Sequence, residues 1–106
     1  MNVKFKSYLG LARKSGNLIL GLDKIEESKK DIFVLVFSND VSDRTKKKSI
    51  EKSNCDIIIQ TDMCKADLGK LLGVQRVAVS AVTDKGLANQ IQIYAGGNTD
   101  GINHQI

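Results

Sequence analysis

The sequence predicts an α/β sandwich, and two observations support this prediction. Short apolar runs rich in Ile and Val, at Ile32–Phe37, Ile57–Ile59 and Val77–Val82, have the length and composition of buried strands. Amphipathic stretches with helical spacing lie between and around these runs. Strands that alternate with helices are typical of α/β domains. A chain of 106 residues can bury one core but not two, so we assign residues 1–94 to one domain.

The chain begins with a predicted helix, a short strand and a second helix. The first helix, Val3–Lys14, has apolar residues at mixed three- and four-residue steps and ends near Gly16. Asn17–Leu20 is too short for a helix and is predicted as a strand, and Gly21–Lys30 is the second helix. The apolar positions of the first helix are Phe5, Tyr8, Leu9, Leu11 and Ala12.

The remaining elements continue the alternation. Ile32–Phe37 is predicted as the central strand, covered on both faces. Ser42 caps a helix that runs to about Lys52, Asp62 caps the next helix, and Leu87 to about Tyr94 forms the last one. The helix after Asp62 bears the apolar residues Met63, Ala66, Leu68 and Leu71. The last helix is predicted to turn Leu87, Ala88, Ile91 and Ile93 inward.

The C-terminal segment, the lack of a long apolar run and the two cysteines indicate what kind of protein this is. Ala95–Ile106 is rich in Gly and Asn and is predicted to be a flexible tail. No apolar run approaches the roughly 20 residues that cross a bilayer, and no secretory signal is visible. Cys55 and Cys64, with the distant His104, do not form a usual zinc ligand set. We therefore expect a soluble cytoplasmic protein with reduced structural cysteines, no metal and no cofactor.

Positive charge is concentrated in the first half of the chain. Residues 1–53 contain twelve Lys or Arg and seven Asp or Glu, a net charge of +5, whereas residues 54–106 contain four and five, a net charge of −1. This asymmetry permits a polyanionic partner bound by the first half. The Lys46-Lys47-Lys48 run is more often a solvated helix face than a docking surface.

The segment from Leu9 to Lys24 is the most informative part of the basic half. Arg13 and Lys14 are the last residues of one helix, which Gly16 terminates. Gly21 begins the next helix after a short apolar strand. This order places cations and the free backbone amides of a helix start on one rim. Such a rim suits an anion such as RNA.

Signatures of catalysis are missing from this sequence. It has no Gly-rich phosphate loop of the GxxxxGK type, no HExxH motif, and no Ser or Cys with a His in a plausible setting. We therefore expect a binding protein rather than an enzyme.

Five blocks resemble the kink-turn RNA-binding ribosomal protein family, which includes archaeal L-seven-Ae, eukaryotic L-thirty-e and the wider Gadd-like superfamily. The bacterial YlxQ-like proteins are the most similar branch. The resemblance covers residues 3 to about 92, and the blocks occur in the family's order. They are Leu-Ala-Arg-Lys-Ser-Gly from Leu11, Gly-Leu-Asp-Lys from Gly21, Asp-Val-Ser-Asp-Arg-Thr-Lys-Lys-Lys from Asp40, Leu-Gly-Lys from Leu68, and Val-Ser-Ala-Val-Thr-Asp-Lys-Gly from Val79.

The resemblance implies a three-layer α/β/α sandwich with a small mixed central sheet that grips a sharply bent RNA at two places. The start of the second helix would meet tandem G·A pairs, and the last strand-to-helix loop would hold an extruded nucleotide. It also implies structured RNA as the partner, with ribosomal RNA or the ribosome as candidates. Nothing in the sequence predicts an obligate dimer. The implied contact residues are Arg13, Lys14, Gly21, Leu22, Asp23 and Lys24 at the first place, and Val82, Thr83, Asp84, Lys85 and Gly86 at the second.

The residue types at the first place suit RNA. Gly21 allows close approach of RNA to the backbone, and Asp23 is an acceptor that fits the N1–H and N2–H edge of guanine. Lys24 can neutralise a phosphate, as can Lys85 at the second place. Bent RNAs expose the edges of non-Watson–Crick pairs that a regular duplex hides.

Simpler interpretations remain open for both places. Gly21 can simply begin a helix that has Asp23 as a first-turn acid, and the Thr83–Gly86 turn can be only a connection. The chain also departs from strong RNA binders in the family, which have Asn-Glu where Asp23 and Lys24 stand and a Lys where Glu27 stands. The alignment further implies a shortened second helix. These departures motivate the alternative of a protein-interaction module that kept the fold and lost specific RNA binding.

Overall fold

The computed structural model describes residues 2–95 and, by backbone only, residues 99–101. Five helices and five strands alternate along this part of the chain, and the predicted α/β fold is confirmed. The elements in order are α1 (Val3–Lys14), β1 (Leu18–Leu20), α2 (Leu22–Glu27), β2 (Val34–Phe37), α3 (Asp43–Ser53), β3 (Ile57–Gln60), α4 (Lys65–Leu72), β4 (Val79–Val82), α5 (Lys85–Ala95) and β5 (Thr99–Gly101).

The sheet is mixed, with strand order β1-β4-β2-β3-β5. Strands β2 and β3 run parallel, and the other neighbouring pairs run antiparallel. Strand β1 lies at one edge of the sheet and pairs only with β4, with Leu18 opposite Val82 and Leu20 opposite Ser80. Within residues 2–95 and 99–101, no strand pairs with the outer side of β1.

Helices cover both faces of the sheet and bury two apolar clusters. One cluster joins α1, α4 and α5 to one face, through residues such as Phe5, Leu68 and Ile91. The other joins α2 and α3 to the opposite face, through Ile25 and Phe37. Strand β2 is buried at every position, as a central strand covered on both faces must be.

The first and third helices begin and end as the sequence predicts. Asn2 caps α1 by accepting a hydrogen bond from the Phe5 amide at 2.8 Å, and α1 ends at Lys14. Ser42 caps α3 by accepting from the Thr45 amide at 3.1 Å. The last residue of α3 is Ser53, and the C-cap residue Asn54 adopts the left-handed conformation.

The second helix is shorter than the predicted Gly21–Lys30 and spans six residues, as the resemblance implied. After Ser28 the chain turns towards the sheet, and the Phe33 amide donates to the Val82 carbonyl at 2.9 Å. Only Ile25 of α2 is fully buried, so the polar residues that follow Glu27 gain no core contact by continuing the helix.

The fourth helix starts at Lys65, so the prediction that Asp62 caps it is wrong. Cys64 is the N-cap residue, and its side chain makes no capping bond. The Asp40 carboxylate, distant in sequence, instead accepts from the Lys65 amide at 3.0 Å. Residues 61–63 are outside the helix, and the Thr61 hydroxyl donates to the Phe37 carbonyl at 2.8 Å.

Two predictions about the last part of the chain also differ from the structure. Ile93 was expected to face inward but is 63% exposed, because α5 turns Ile91 and Ala95 towards the core. Within the expected tail Ala95–Ile106, residues 99–101 form β5 and pair with β3, whose outer edge offers backbone groups. The rest of that tail, apart from Ala95, lies outside the described residues.

Cys55 is buried beside Phe37 and Ile58 in the second cluster, and its burial raises the pKa of the thiol. A buried protonated thiol is a poor nucleophile and a poor metal ligand. Its position agrees with a structural role.

Candidate nucleic-acid interface

Gly21 lies at the junction of β1 and α2, where the backbone takes a conformation that favours glycine. Its φ is +89°, and no side chain caps the helix that follows. The Gly21 amide donates to the Val79 carbonyl at 2.9 Å, so this junction is fixed against the first residue of β4. Leu22 is half-buried, whereas Asp23 and Lys24 are exposed. The predicted contact residues on α2 are therefore accessible.

Arg13 and Lys24 meet beside the edge strand. Both line a groove of about 330 Å³ along Leu18, Ile19 and Leu20, which we call the β1 groove. Two cations beside an uncovered strand edge can bind successive phosphates or a carboxylate. The structure thus brings Arg13 and Lys24 together, as the sequence predicts for the first contact place.

Arg13 is held by a bond to another helix. Its Nε donates to the Leu72 carbonyl at 3.1 Å, at the end of α4. The guanidinium group retains further donors that can bind an anion while Nε is engaged. Lys14 lines a different groove, between α1 and α4, so the structure does not place it beside Lys24.

The turn from Thr83 to Gly86 lies at the other end of β1 from Gly21. The Thr83 amide donates to the Asn17 carbonyl at 2.9 Å, before β1, whereas Gly21 follows β1 and contacts Val79. The three residues of β1 separate Asn17 from Gly21, so four steps of about 3.3 Å each give a span of about 13 Å. The two predicted contact places therefore do not adjoin, because the start of β4 lies beside one end of β1 and the end of β4 lies beside the other.

Several residues of this segment are buried or form hydrogen bonds within the protein. Val82 is fully buried opposite Leu18, so its side chain does not reach a ligand. Asp84 caps α5, because its carboxylate accepts from the Leu87 amide at 2.8 Å. Thr83 is half-buried, and only Lys85 and Gly86 are exposed. The interpretation of this segment as a strand-to-helix connection accounts for these features.

A different loop, residues 73–78, precedes the strand residue that contacts Gly21. It leads directly into Val79, the residue that accepts the Gly21 amide bond, and its Gln75 and Arg76 are exposed. Sequence reasoning missed Arg76. The sequence did indicate that Arg76 is unusual, because it is one of only four Lys or Arg in residues 54–106. The strand that follows Arg76 pairs with β1, and this pairing could not be predicted without the strand order.

Gly69 fixes the position of this loop, which we call the 73–78 loop. A Cβ atom at Gly69 would lie 2.8 Å from the Arg76 amide nitrogen and from the carbonyl carbon and oxygen of Gln75. The Val74 amide also donates to the Gly69 carbonyl at 2.9 Å. The loop backbone therefore packs directly on α4, at a distance that only glycine permits.

The lysine run on α3 does not form one uniform docking surface. Lys46 Nζ donates to Gln60 Oε1 at 3.1 Å and lies 5.7 Å from the centre of the Phe37 ring. Lys47 is exposed and Lys48 is half-buried. Lys47 is therefore the most accessible of the three lysines.

Within residues 2–95 and 99–101, no group of three or more His, Cys, Asp or Glu is placed to hold a metal ion. In the same part of the chain, the helices are too short or too polar to span a membrane.

Solved structures share this fold. One is described as the structure of a protein with unknown function from Bacillus halodurans, and it superposes with a TM-score of 0.75 over 89% of this chain and 98% of that chain. The two sequences are 22% identical, so the similarity shows the fold alone. No protein-family model matches the chain, and no curated protein matches it.

Proposed function

We propose that this protein binds RNA and recognises a kink-turn or a similar bent internal loop, in the cytoplasm and in association with the ribosome or translation. The observation that carries the proposal is the β1 groove, where Arg13 and Lys24 flank an uncovered strand edge. The accessible start of α2 and the exposed Arg76 lie at one end of the same strand.

Each part of this surface has a distinct task in the proposal. Lys24 and Arg13 neutralise phosphates on the two strands of a bent RNA. The Asp23 carboxylate accepts from the Watson–Crick edge of a guanine that the bend exposes. Gly21 lets the RNA backbone approach the chain, since no Cβ stands there. All of these roles are in RNA binding, and we propose no catalysis.

The second contact place in the proposal is the 73–78 loop rather than the Thr83–Gly86 turn. The loop leads into Val79, which accepts the Gly21 amide bond, and Arg76 supplies a planar guanidinium that can stack on an unpaired base or bind its phosphate. The turn lies about 13 Å away at the other end of β1. The exposed Lys85 of that turn serves as a control position.

The direct test is a titration of the protein with a fluorescently labelled kink-turn RNA in low salt, beside a plain duplex of equal length. We expect clearly tighter binding of the kink-turn, because the groove and the α2 start recognise shape and exposed base edges as well as phosphate charge. Equal affinity for the two RNAs would contradict the proposal.

A further inference from the structure

A second groove lies between α1 and the end of α4, apart from the β1 groove except for the shared Arg13. We call it the α1/α4 groove; its volume is about 610 Å³. Gly10, Leu11 and Leu71 contribute its apolar floor, and Lys6, Arg13 and Lys14 contribute its cations. The lining residues include no carboxylate.

The floor of the α1/α4 groove contains Gly10, at a position where the structure has space for a larger residue. Gly10 lies inside α1, where glycine weakens a helix relative to alanine. A Cβ atom at Gly10 would meet no atom within 4 Å. The bare backbone at this position leaves room for another chain to approach α1 closely.

An exposed leucine stands beside this glycine. Leu11 was expected among the apolar positions of α1 but is 48% exposed, because Leu9 and Ala12 are the residues that α1 turns into the core. Leu71 on α4 is half-buried across the groove. Covering these side chains would remove apolar surface from water, which stabilises a complex.

The cations determine what kind of apolar partner fits. Arg13 is anchored to the Leu72 carbonyl, and Lys6 and Lys14 are both exposed on α1. A ligand that fills the apolar floor therefore meets three positive charges at its edges. A partner with carboxylates flanking its apolar side chains is complementary to this pattern, and a basic partner is repelled.

RNA fits this groove less well than an acidic peptide does. A phosphate backbone gains from Lys6, Arg13 and Lys14, but it gains nothing from covering the apolar side chains of Leu11 and Leu71. We therefore propose that the α1/α4 groove docks an acidic amphipathic helix of a partner protein, with the helix's apolar side chains on Gly10, Leu11 and Leu71. Helix-in-groove binding has this combination of apolar anchors and charged flanks. The inference does not depend on RNA binding.

The probe is a fluorescein-labelled synthetic peptide of about 16 residues, roughly 24 Å as a helix, with Leu at helical spacing and Glu elsewhere. Two control peptides keep the length: one replaces Glu with Lys, and one scrambles the Leu positions. Fluorescence anisotropy with the full chain is expected to show binding of the acidic amphipathic peptide, with both controls weaker by about tenfold or more. Equal binding of the acidic and basic peptides would overturn the proposal.

Two variants connect that binding to the groove. Gly10→Leu fills the floor and favours the helix, so we expect an unfolding temperature no lower than that of the parent and peptide affinity reduced about tenfold or more. Leu11→Gln, at an exposed position, is expected to weaken the peptide in the same direction. Ile93→Ser removes an exposed apolar residue that lies outside the groove and is the control expected to bind normally.

The same variants are titrated with kink-turn RNA. Unchanged RNA affinity of Gly10→Leu together with lost peptide binding supports a separate protein-docking groove. Parent-like peptide binding by both Gly10→Leu and Leu11→Gln overturns the proposal. Variants that lose RNA affinity and retain peptide binding also overturn it, because that result would assign the groove to the RNA surface. A protein that binds no kink-turn RNA yet shows the peptide results supports the groove and contradicts only the proposed RNA function.

Discussion

Arg13 is the residue that connects the two surfaces of this protein. Its Nε is fixed on the Leu72 carbonyl, and its side chain lines both the β1 groove and the α1/α4 groove. Arginine suits this position because its guanidinium can use one donor for the fold and still present others. The bond also ties the end of α1 to the end of α4, from which the 73–78 loop departs.

Individual residues of the predicted RNA site divide into accessible and structural ones. Asp23 and Lys24 are exposed and available to a ligand, whereas Val82 and Asp84 serve the core and a helix cap. A sequence motif does not distinguish these roles, because a turn that begins a helix and a turn that holds a nucleotide favour the same small and polar residues.

The salt dependence of RNA binding tests this division residue by residue. Lys24→Ala and Arg76→Ala are each expected to lower the slope of log affinity against log salt by about 0.7 to 0.9, because each removes one phosphate contact. Lys85→Ala is expected to leave the slope unchanged, since Lys85 lies at the far end of β1. Measurement is by anisotropy with kink-turn RNA over a series of salt concentrations.

The opposite pattern would restore the Thr83–Gly86 turn as the second contact place. That pattern is a reduced slope for Lys85→Ala with an unchanged slope for Arg76→Ala.

At the scale of elements, the packing of the 73–78 loop on α4 depends on one glycine. Gly69 allows backbone-to-backbone contact with Gln75 and Arg76, and the Val77 amide adds a bond to the Lys65 carbonyl at 3.1 Å. The loop thus contacts α4 at its first residue, Lys65, and at Gly69 within the helix. Its position next to the α2 start follows from this packing together with the Gly21 bond to Val79.

A pair of glycine-to-alanine variants tests this account. Gly69→Ala forces the loop backbone away from α4, and we expect a loss of about 1 to 3 kcal/mol in the free energy of unfolding, as for other overpacked sites. Gly10→Ala, the matched control in α1, has open space for its Cβ and is expected to gain about 0.5 to 1 kcal/mol. Urea unfolding measures both changes. Equal stabilisation by the two substitutions would show that the loop does not depend on the missing Cβ.

At the scale of the whole molecule, the strand order decides which segments adjoin. Strand β4 lies between β1 and β2, so the chain on either side of β4 reaches opposite ends of the edge strand β1. The start of β4 approaches Gly21, and its end approaches Asn17. This arrangement explains why the proposed RNA surface combines α2 with the 73–78 loop.

The two proposed surfaces predict different partners of the whole protein in a cell extract. The tagged protein is recovered from lysate with and without ribonuclease treatment. We expect partners held through RNA to be lost after digestion, and partners docked on the α1/α4 groove to remain. The Gly10→Leu variant is the control, because it should lose the second group and keep the first. A set of partners unaffected by ribonuclease would favour the alternative of a protein-interaction module without specific RNA binding.

The sequence by itself determined the fold class and most element positions, and it placed Arg13 close to the start of α2. Helices such as Val3–Lys14 and the buried run in β2 are set by local periodicity and by residue types that one element can satisfy alone. The grouping of Arg13 with the α2 start follows from their closeness in the chain, where a short strand joins them.

The tertiary structure alone decided which distant segments meet. The cap of α4 comes from Asp40, and the neighbour of Gly21 is the start of β4 rather than its end. These contacts join residues far apart in the chain and depend on the strand order, which local patterns of hydrophobicity do not encode. The exposure of Leu11 and the open space above Gly10 likewise depend on how α4 packs beside α1. The sequence therefore identified the basic segment, and only the packing of the elements showed which of its residues face outward and what lies beside them.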